Sequence, residues 1–120
     1  MTVIVFGNPD LPQDSLPLKL LPELKRRRPD LDIRRLDPNE EWDIPADITV
    51  IDTVINLKVP RLFDNLDAFV AGPRLTLHDF DAYANLRLML KIGRIRTVRV
   101  IGLPPTVETT SALNYCLDKL

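Results

Sequence analysis

The sequence predicts an α/β domain built on a mostly parallel sheet, and three observations carry that prediction. Short runs of β-branched and aromatic residues alternate along the chain with longer segments of helical periodicity. One run, Ile48-Thr49-Val50-Ile51, is nearly continuous in apolar and β-branched residues, as a strand covered on both faces is. Turn-forming clusters stand between the runs: Gly7-Asn8-Pro9, Asp37-Pro38-Asn39-Glu40 and Pro104-Pro105. At 120 residues the chain suits one domain and is too short for two well-filled cores, so 1–120 is read as a single unit.

Residues 2–6 form the first strand, closed by Gly7-Asn8-Pro9. A helical stripe follows, Leu16, Leu20, Leu21 and Leu24, with Lys25 to Arg28 at its end. Asp14 or Ser15 can cap this helix, and Pro17 is tolerable in its first turn. Pro22 lacks the amide an interior turn uses, which predicts a kink or a helix regular on only one side of it, and Pro29 marks the end. Residues 31–36 alternate by two, the pattern of a half-exposed strand. Residues 48–52 read as a central strand ending in an acid. The stretch 53–73 reads as a turn, a short element around 62–69 and a loop. Arg74-Leu75-Thr76-Leu77 is a further strand candidate ending at His78. Residues 79–91 follow as a helix, capped by Asp79, striped by Ala82, Leu86, Met89 and Leu90, and followed by Gly93. The last strand is 97–102. Residues 106–120 form a final amphipathic helix with Val107, Leu113, Leu117 and Leu120 on its core side.

Sixteen basic residues against seventeen acidic ones leave a net charge of −1. That balance argues against nucleic-acid binding through a broad basic surface, and against a basic membrane-binding face. No apolar run approaches the roughly 20 residues that span a bilayer. The chain opens on a strand, with no basic leader or small-residue cleavage site, so no signal peptide is expected, and a single cysteine makes the cytosol the expected compartment. Cys116 is the single cysteine. It has no partner for an internal disulfide and no CxxC pairing, and its place in a helical pattern makes it a packed thiol. Lys25-Arg26-Arg27-Arg28 reads as a solvated helix end that suits the dipole, and Arg94, Arg96 and Arg99 as surface residues flanking the last strand.

Three polar residues stand at equivalent places in this pattern. Asp14 lies in the turn after the first strand, Asp52 ends a central strand, and His78 ends a later one. In open parallel sheets, ligands collect outside the carboxyl ends of strands, where strand order reverses. Two carboxylates and an imidazole meeting there can bind a divalent transition metal or activate water. Each residue also has a plainer reading: Asp14 as a helix cap, His78 as a hydrogen-bonded residue at a strand end. Asp52 is harder to account for in that way, because a charge at the end of a buried strand has to be paired or exposed at a cleft. There is no Ser/His/Asp order and no HExxH, so the common protease classes find no support. Gly7-Asn8-Pro9 lacks GxGxxG and the P-loop lysine, which ranks a nucleotide- or anion-binding domain last.

Three segments in register resemble the hydrogenase maturation endopeptidases. They are Gly7-Asn8-Pro9 through Asp14, then Val50-Ile51-Asp52-Thr53-Val54, then His78 with its following helix and Val98-Arg99-Val100-Ile101-Gly102-Leu103-Pro104. The likeness covers nearly the whole chain in the right order. It implies a compact three-layer α/β/α sandwich around a twisted, mainly parallel sheet of about five strands. It also implies an enzyme that trims the C-terminal extension from the large-subunit precursor of a nickel-iron hydrogenase. In such enzymes nickel is carried by the precursor and read by an acid in the first loop, the strand-end Asp and the His, here Asp14, Asp52 and His78. Asp52 would orient or deprotonate water, and Asn8, Asp37 and Asn39 would contact substrate. The sequence departs from the family where Gln13-Asp14-Ser15-Leu16-Pro17 replaces a glycine-rich stretch. Pro38-Asn39-Glu40 replaces a Gly-Gly-Thr-like turn, and Asp79 stands where Gln is frequent. These departures point to a different precursor, or to a second reading, a non-catalytic metal- or partner-binding module on the same fold. A monomer is expected, since a small chain docking a larger precursor needs its cleft free.

Overall fold

The architecture comes from a computed structural model, which describes residues 1–36, 42–55, 57–67 and 77–120, the side chains of 77–81 excepted. The elements follow in the order β1 (Thr2–Val5), the 3₁₀ turn Pro12–Asp14, α1 (Leu16–Arg27), β2 (Asp32–Arg35), β3 (Asp47–Thr53), β4 (Arg61–Phe63), α2 (Leu77–Lys91), β5 (Thr97–Leu103) and α3 (Thr109–Lys119). One five-stranded sheet has the order β2-β1-β3-β5-β4. β1 pairs parallel with β2 and β3, β3 pairs parallel with β5, and only the edge strand β4 runs antiparallel. The expected mostly parallel sheet of five strands is therefore present, with a different fourth strand.

Helices cover both faces, giving three layers. Along β3 successive side chains point to opposite sides. Ile48, Val50 and Val54 join the core beneath α2, with Ala82, Leu86 and Met89. Ile51 joins the other core, with Leu16, Leu20 and Leu24 of α1 and Ala112, Leu113 and Cys116 of α3. The central strands β1 and β3 are buried almost end to end, which is why their sequences carry no polar alternation. β2, at an edge, buries only Ile33 of its four residues.

Several expectations need correction. β4 was not foreseen as a strand. It is three residues long, it follows Pro60, and only Phe63 of it is buried, so it carries no periodic signal. Leu77 and His78 belong to α2, not to a strand end; 74–76 lie outside the described residues. α1 runs from Leu16 to Arg27 as one continuous helix with Pro22 on its exposed side, not as a helix regular on only one side of that residue. The N-cap of α1 is Ser15, whose hydroxyl donates to the Pro12 carbonyl (3.1 Å) instead of closing a side-chain cap. α2 ends as expected at Gly93, whose φ of +81° is the left-handed conformation that terminates a helix and that glycine adopts without strain.

The basic end of α1 is a solvated, compensated surface. Arg26 and Arg27 both bind Glu23, and Arg28 binds Asp30. The two arginines hold the Glu23 carboxyl well down, at about 2. Among the described residues no helix is long and apolar enough to cross a membrane.

Candidate active site

The chain leaves β1, crosses through α1 to β2 on one side, and then returns past β1 to β3 on the other. Strand order therefore reverses between β1 and β3, and a fold of this kind is expected to place a ligand site outside their carboxyl ends. The segment after β1 and the last residues of β3 meet there.

The first of these segments is folded by its own polar groups. Asn8 Oδ1 accepts the Asp10 amide (3.0 Å), an Asx turn. The Leu11 amide donates to the Asn8 carbonyl (3.2 Å), and the Asp14 amide donates to that of Leu11 (2.9 Å). The Asn8 amide then donates to the Asp14 carbonyl at 3.0 Å, closing the loop on itself. Gly7 permits this closure: a Cβ there would stand 2.8 Å from the Asp14 carbonyl oxygen and 2.9 Å from Leu18 Cγ. The loop packs against β3, so Asp14 reaches the same rim as Asp52. Asp14 is only 2% exposed, which the reading of it as an ordinary solvent-facing cap does not explain. Beside it lies a shallow groove of about 400 Å³ lined by Pro9, Pro12, Ser15, Leu18 and Lys19.

Asp52 is the penultimate residue of β3 and is fully buried. It shares a face with Ile48 and Val50, so it points toward α2. Its Oδ1 accepts the Thr53 amide at 2.8 Å, and its Oδ2 accepts the Tyr83 hydroxyl at 3.0 Å. Tyr83 was missed in the sequence because it sits among the apolar stripe of α2. A signal was available, since a phenol on a buried stripe has to find a partner.

His78 stands in the first turn of α2, five residues before Tyr83, or about 7.5 Å back along the helix axis. The other end of α2 leads to Thr97, whose amide donates to the Ala46 carbonyl at the start of β3. α2 thus runs antiparallel to β3, and its first turn lies on the carboxyl side of the sheet, beyond Asp52. The imidazole itself lies outside the described residues, as do Asp37 and Asn39. Among the described residues no three His, Cys, Asp or Glu side chains form a metal-holding group, and the side chain of His78 is not one of those residues. Asn8, expected to touch substrate, uses its side-chain oxygen in the Asx turn. Cys116 is buried in α3 on the opposite face, where burial pushes its thiol up to about 12, so it stays protonated and offers no nucleophile.

No protein-family model and no curated protein matches the sequence. Solved structures do share the fold. The [NiFe] hydrogenase maturation protease HybD from Thermococcus kodakarensis superposes with a TM-score of 0.69 at 16% identity, covering 98% of this chain and 95% of its own. The hydrogenase maturating endopeptidase HybD from E. coli gives 0.70 at 13% identity, over 100% of this chain and 92% of its own. An endopeptidase from Escherichia coli solved in solution gives 0.57 at 12% identity, over 99% and 86%. At these identities the likeness is one of fold, and it extends from end to end of the chain.

Proposed function

We propose that the chain is a processing endopeptidase of hydrogenase maturation, removing the C-terminal extension of a nickel-iron hydrogenase large-subunit precursor. The observation that carries this reading is Asp52: a fully buried carboxylate at the switch point of a fold shared with HybD proteases. In this reading Asp14, Asp52 and His78 receive the nickel that the precursor carries, two oxygen donors and one nitrogen. Docking a substrate-borne ion fixes the scissile peptide beside the acids, and positioning of this kind supplies much of a rate enhancement. The groove beside Asp14 gives the flanking peptide a place to lie. Asp52 then takes a proton from water, the hydroxide adds to the scissile carbonyl, and the proton leaves with the amine as the C–N bond breaks.

A second reading, a metal- or partner-binding module without catalysis, is favoured by the same burial, since a carboxylate bonded on both oxygens also suits a purely structural role. Co-expression with a candidate precursor, with and without nickel, separates the two. Mass spectrometry is expected to show the C-terminal peptide lost only when nickel is supplied. Asp52→Ala and His78→Ala are each expected to leave the precursor intact while circular dichroism shows a folded chain. Complete processing by both variants would overturn the assigned roles, and an intact precursor held by the unaltered chain would select the module.

A further inference from the structure

We propose that Tyr83 is a positioning residue for Asp52, fixing the plane of its carboxylate so that one defined edge faces the reacting groups. The inference rests on the peptidase reading for its catalytic consequence, and on hydrogen-bond geometry for its structural content. An aspartate carboxyl rotates in a broad torsional well, so burial alone does not set its plane. Here the plane is pinned from both ends, with the Thr53 amide on Oδ1 at 2.8 Å and the Tyr83 hydroxyl on Oδ2 at 3.0 Å. The first donor belongs to the same strand and moves with Asp52. The second comes from α2, 31 residues away in sequence, and ties the acid to another layer of the fold.

Tyr83 is itself held. Its ring, fully buried, stands edge-on to Phe6, with centroids 5.9 Å apart and planes at 88°. Phe6 in turn contacts Trp42 at 5.7 Å. Phe6 directly follows β1, so the hydroxyl is aimed at Asp52 by a ring wedged between the switch-point strand and α2. Packing does not require this hydroxyl, since a phenylalanine would fill the same space. A phenol buried on an apolar stripe costs free energy unless it is bonded, so its presence calls for a role beyond volume. The same helix carries His78 five residues earlier, so one rigid element sets both the orientation of the acid and the position of the histidine backbone.

The test compares the unaltered chain with Tyr83→Phe, which removes one oxygen, and Tyr83→Leu, which also removes the ring. Processing of a nickel-loaded precursor is followed by mass spectrometry, and crystal structures of the unaltered and Tyr83→Phe chains report the Asp52 carboxylate plane. Tyr83→Phe is expected to rotate that plane and to lower kcat about 10- to 100-fold with KM and the melting midpoint little changed, the range seen when an orienting partner is lost. Tyr83→Leu is expected to lower the midpoint as well. An unmoved carboxylate together with an unchanged kcat would overturn the inference. A rotated carboxylate in a chain that never cleaves would uphold the structural inference and sink the peptidase reading instead.

Discussion

The two faces of the sheet are built from different materials. Beneath α1 and α3 the core cluster joins Val3, Val5, Ile51, Ile101 and Leu103 to Leu16, Leu20, Leu24, Ala112 and Leu113, with Cys116 as its sulfur. Beneath α2 the cluster holds Phe6, Trp42, Phe63 and Tyr83, and Asp52 points into that side. Aliphatic side chains gain from close packing in any direction, so the first face contributes mainly stability. Keeping a carboxylate inside needs donors at set angles, and rings held edge-on to one another supply fixed directions. The comparison teaches that one face is free to be a core, while the other gives up some apolar burial to hold a charge at the switch point. Substitutions on the two faces should therefore register in different measurements.

The largest effect is expected from Asp52→Asn, which keeps the shape but removes the charge and proton-accepting power of the carboxylate. Processing should slow by about 10²–10⁴-fold, the span that a positioned acid or base supplies. The chain should remain folded by circular dichroism. A variant that loses its fold in step with its activity would erase the distinction between the faces.

Leu24→Ala sharpens the same contrast from the other side. Leu24 is fully buried against β-strand residues of the aliphatic face. Its truncation should cost about 2–5 kcal/mol in urea unfolding through lost burial and the cavity left behind. Processing by the folded fraction should be unchanged, because Leu24 lies about two turns into α1, away from Asp14, and does not line the groove beside it.

Cys116 gives a smaller, pH-dependent effect on the aliphatic face. Burial pushes its thiol from the ordinary value of 9.0 up to about 12. The folded chain therefore holds this proton more tightly than the unfolded one. The associated stability is complete below pH 9 and is lost as the pH rises from there toward 12, at about 1.4 kcal/mol per pH unit. Urea unfolding at pH 8 and pH 10.5 should show the unaltered chain losing more stability than Cys116→Ala, since the other titrating groups are common to both. Equal losses would mean that the thiol is not shielded.

How much of this could be read beforehand follows from where the signals reside. β1, β3 and β5 are short buried runs of β-branched residues, and their alternation with the stripes of α1 and α3 specified a parallel sheet covered on both sides. Asp52 drew attention because an acid ends such a run, and Asp14 because it stands in the turn after the first one. β4 was not, because a three-residue edge strand has no period to detect. The strand expected before His78 failed at Leu77, since a short apolar stretch fits the first turn of a helix as well as the end of a strand. Tyr83 was hidden for the opposite reason: its ring fits the stripe of α2, and only its hydroxyl, whose partner is 31 residues away, marks it as different. Periodicity reports which face a residue takes, whereas a hydrogen bond between layers appears only once the layers are stacked.

The smallest effect is expected where a carboxylate meets a full positive charge. Asp47, at the amino end of β3, binds the Arg96 guanidinium and accepts the Thr97 hydroxyl at 2.6 Å, and these bonds hold its carboxyl below the usual range. Its contribution is present above the ordinary carboxylate pKa and is lost as the pH falls through the lowered folded value. Both side chains are largely open to water, however, where screening and the cost of ordering a long arginine offset the attraction. Arg96→Ala should leave the melting midpoint at physiological salt and the processing rate without a resolvable change. Asp47 and Asp52 lie five residues apart on one strand and differ in both burial and partner, the exposed one facing a guanidinium and the buried one an amide and a phenol. A clear loss of midpoint in Arg96→Ala would show that pairing partner, rather than solvent access, decides what a carboxylate contributes in this fold.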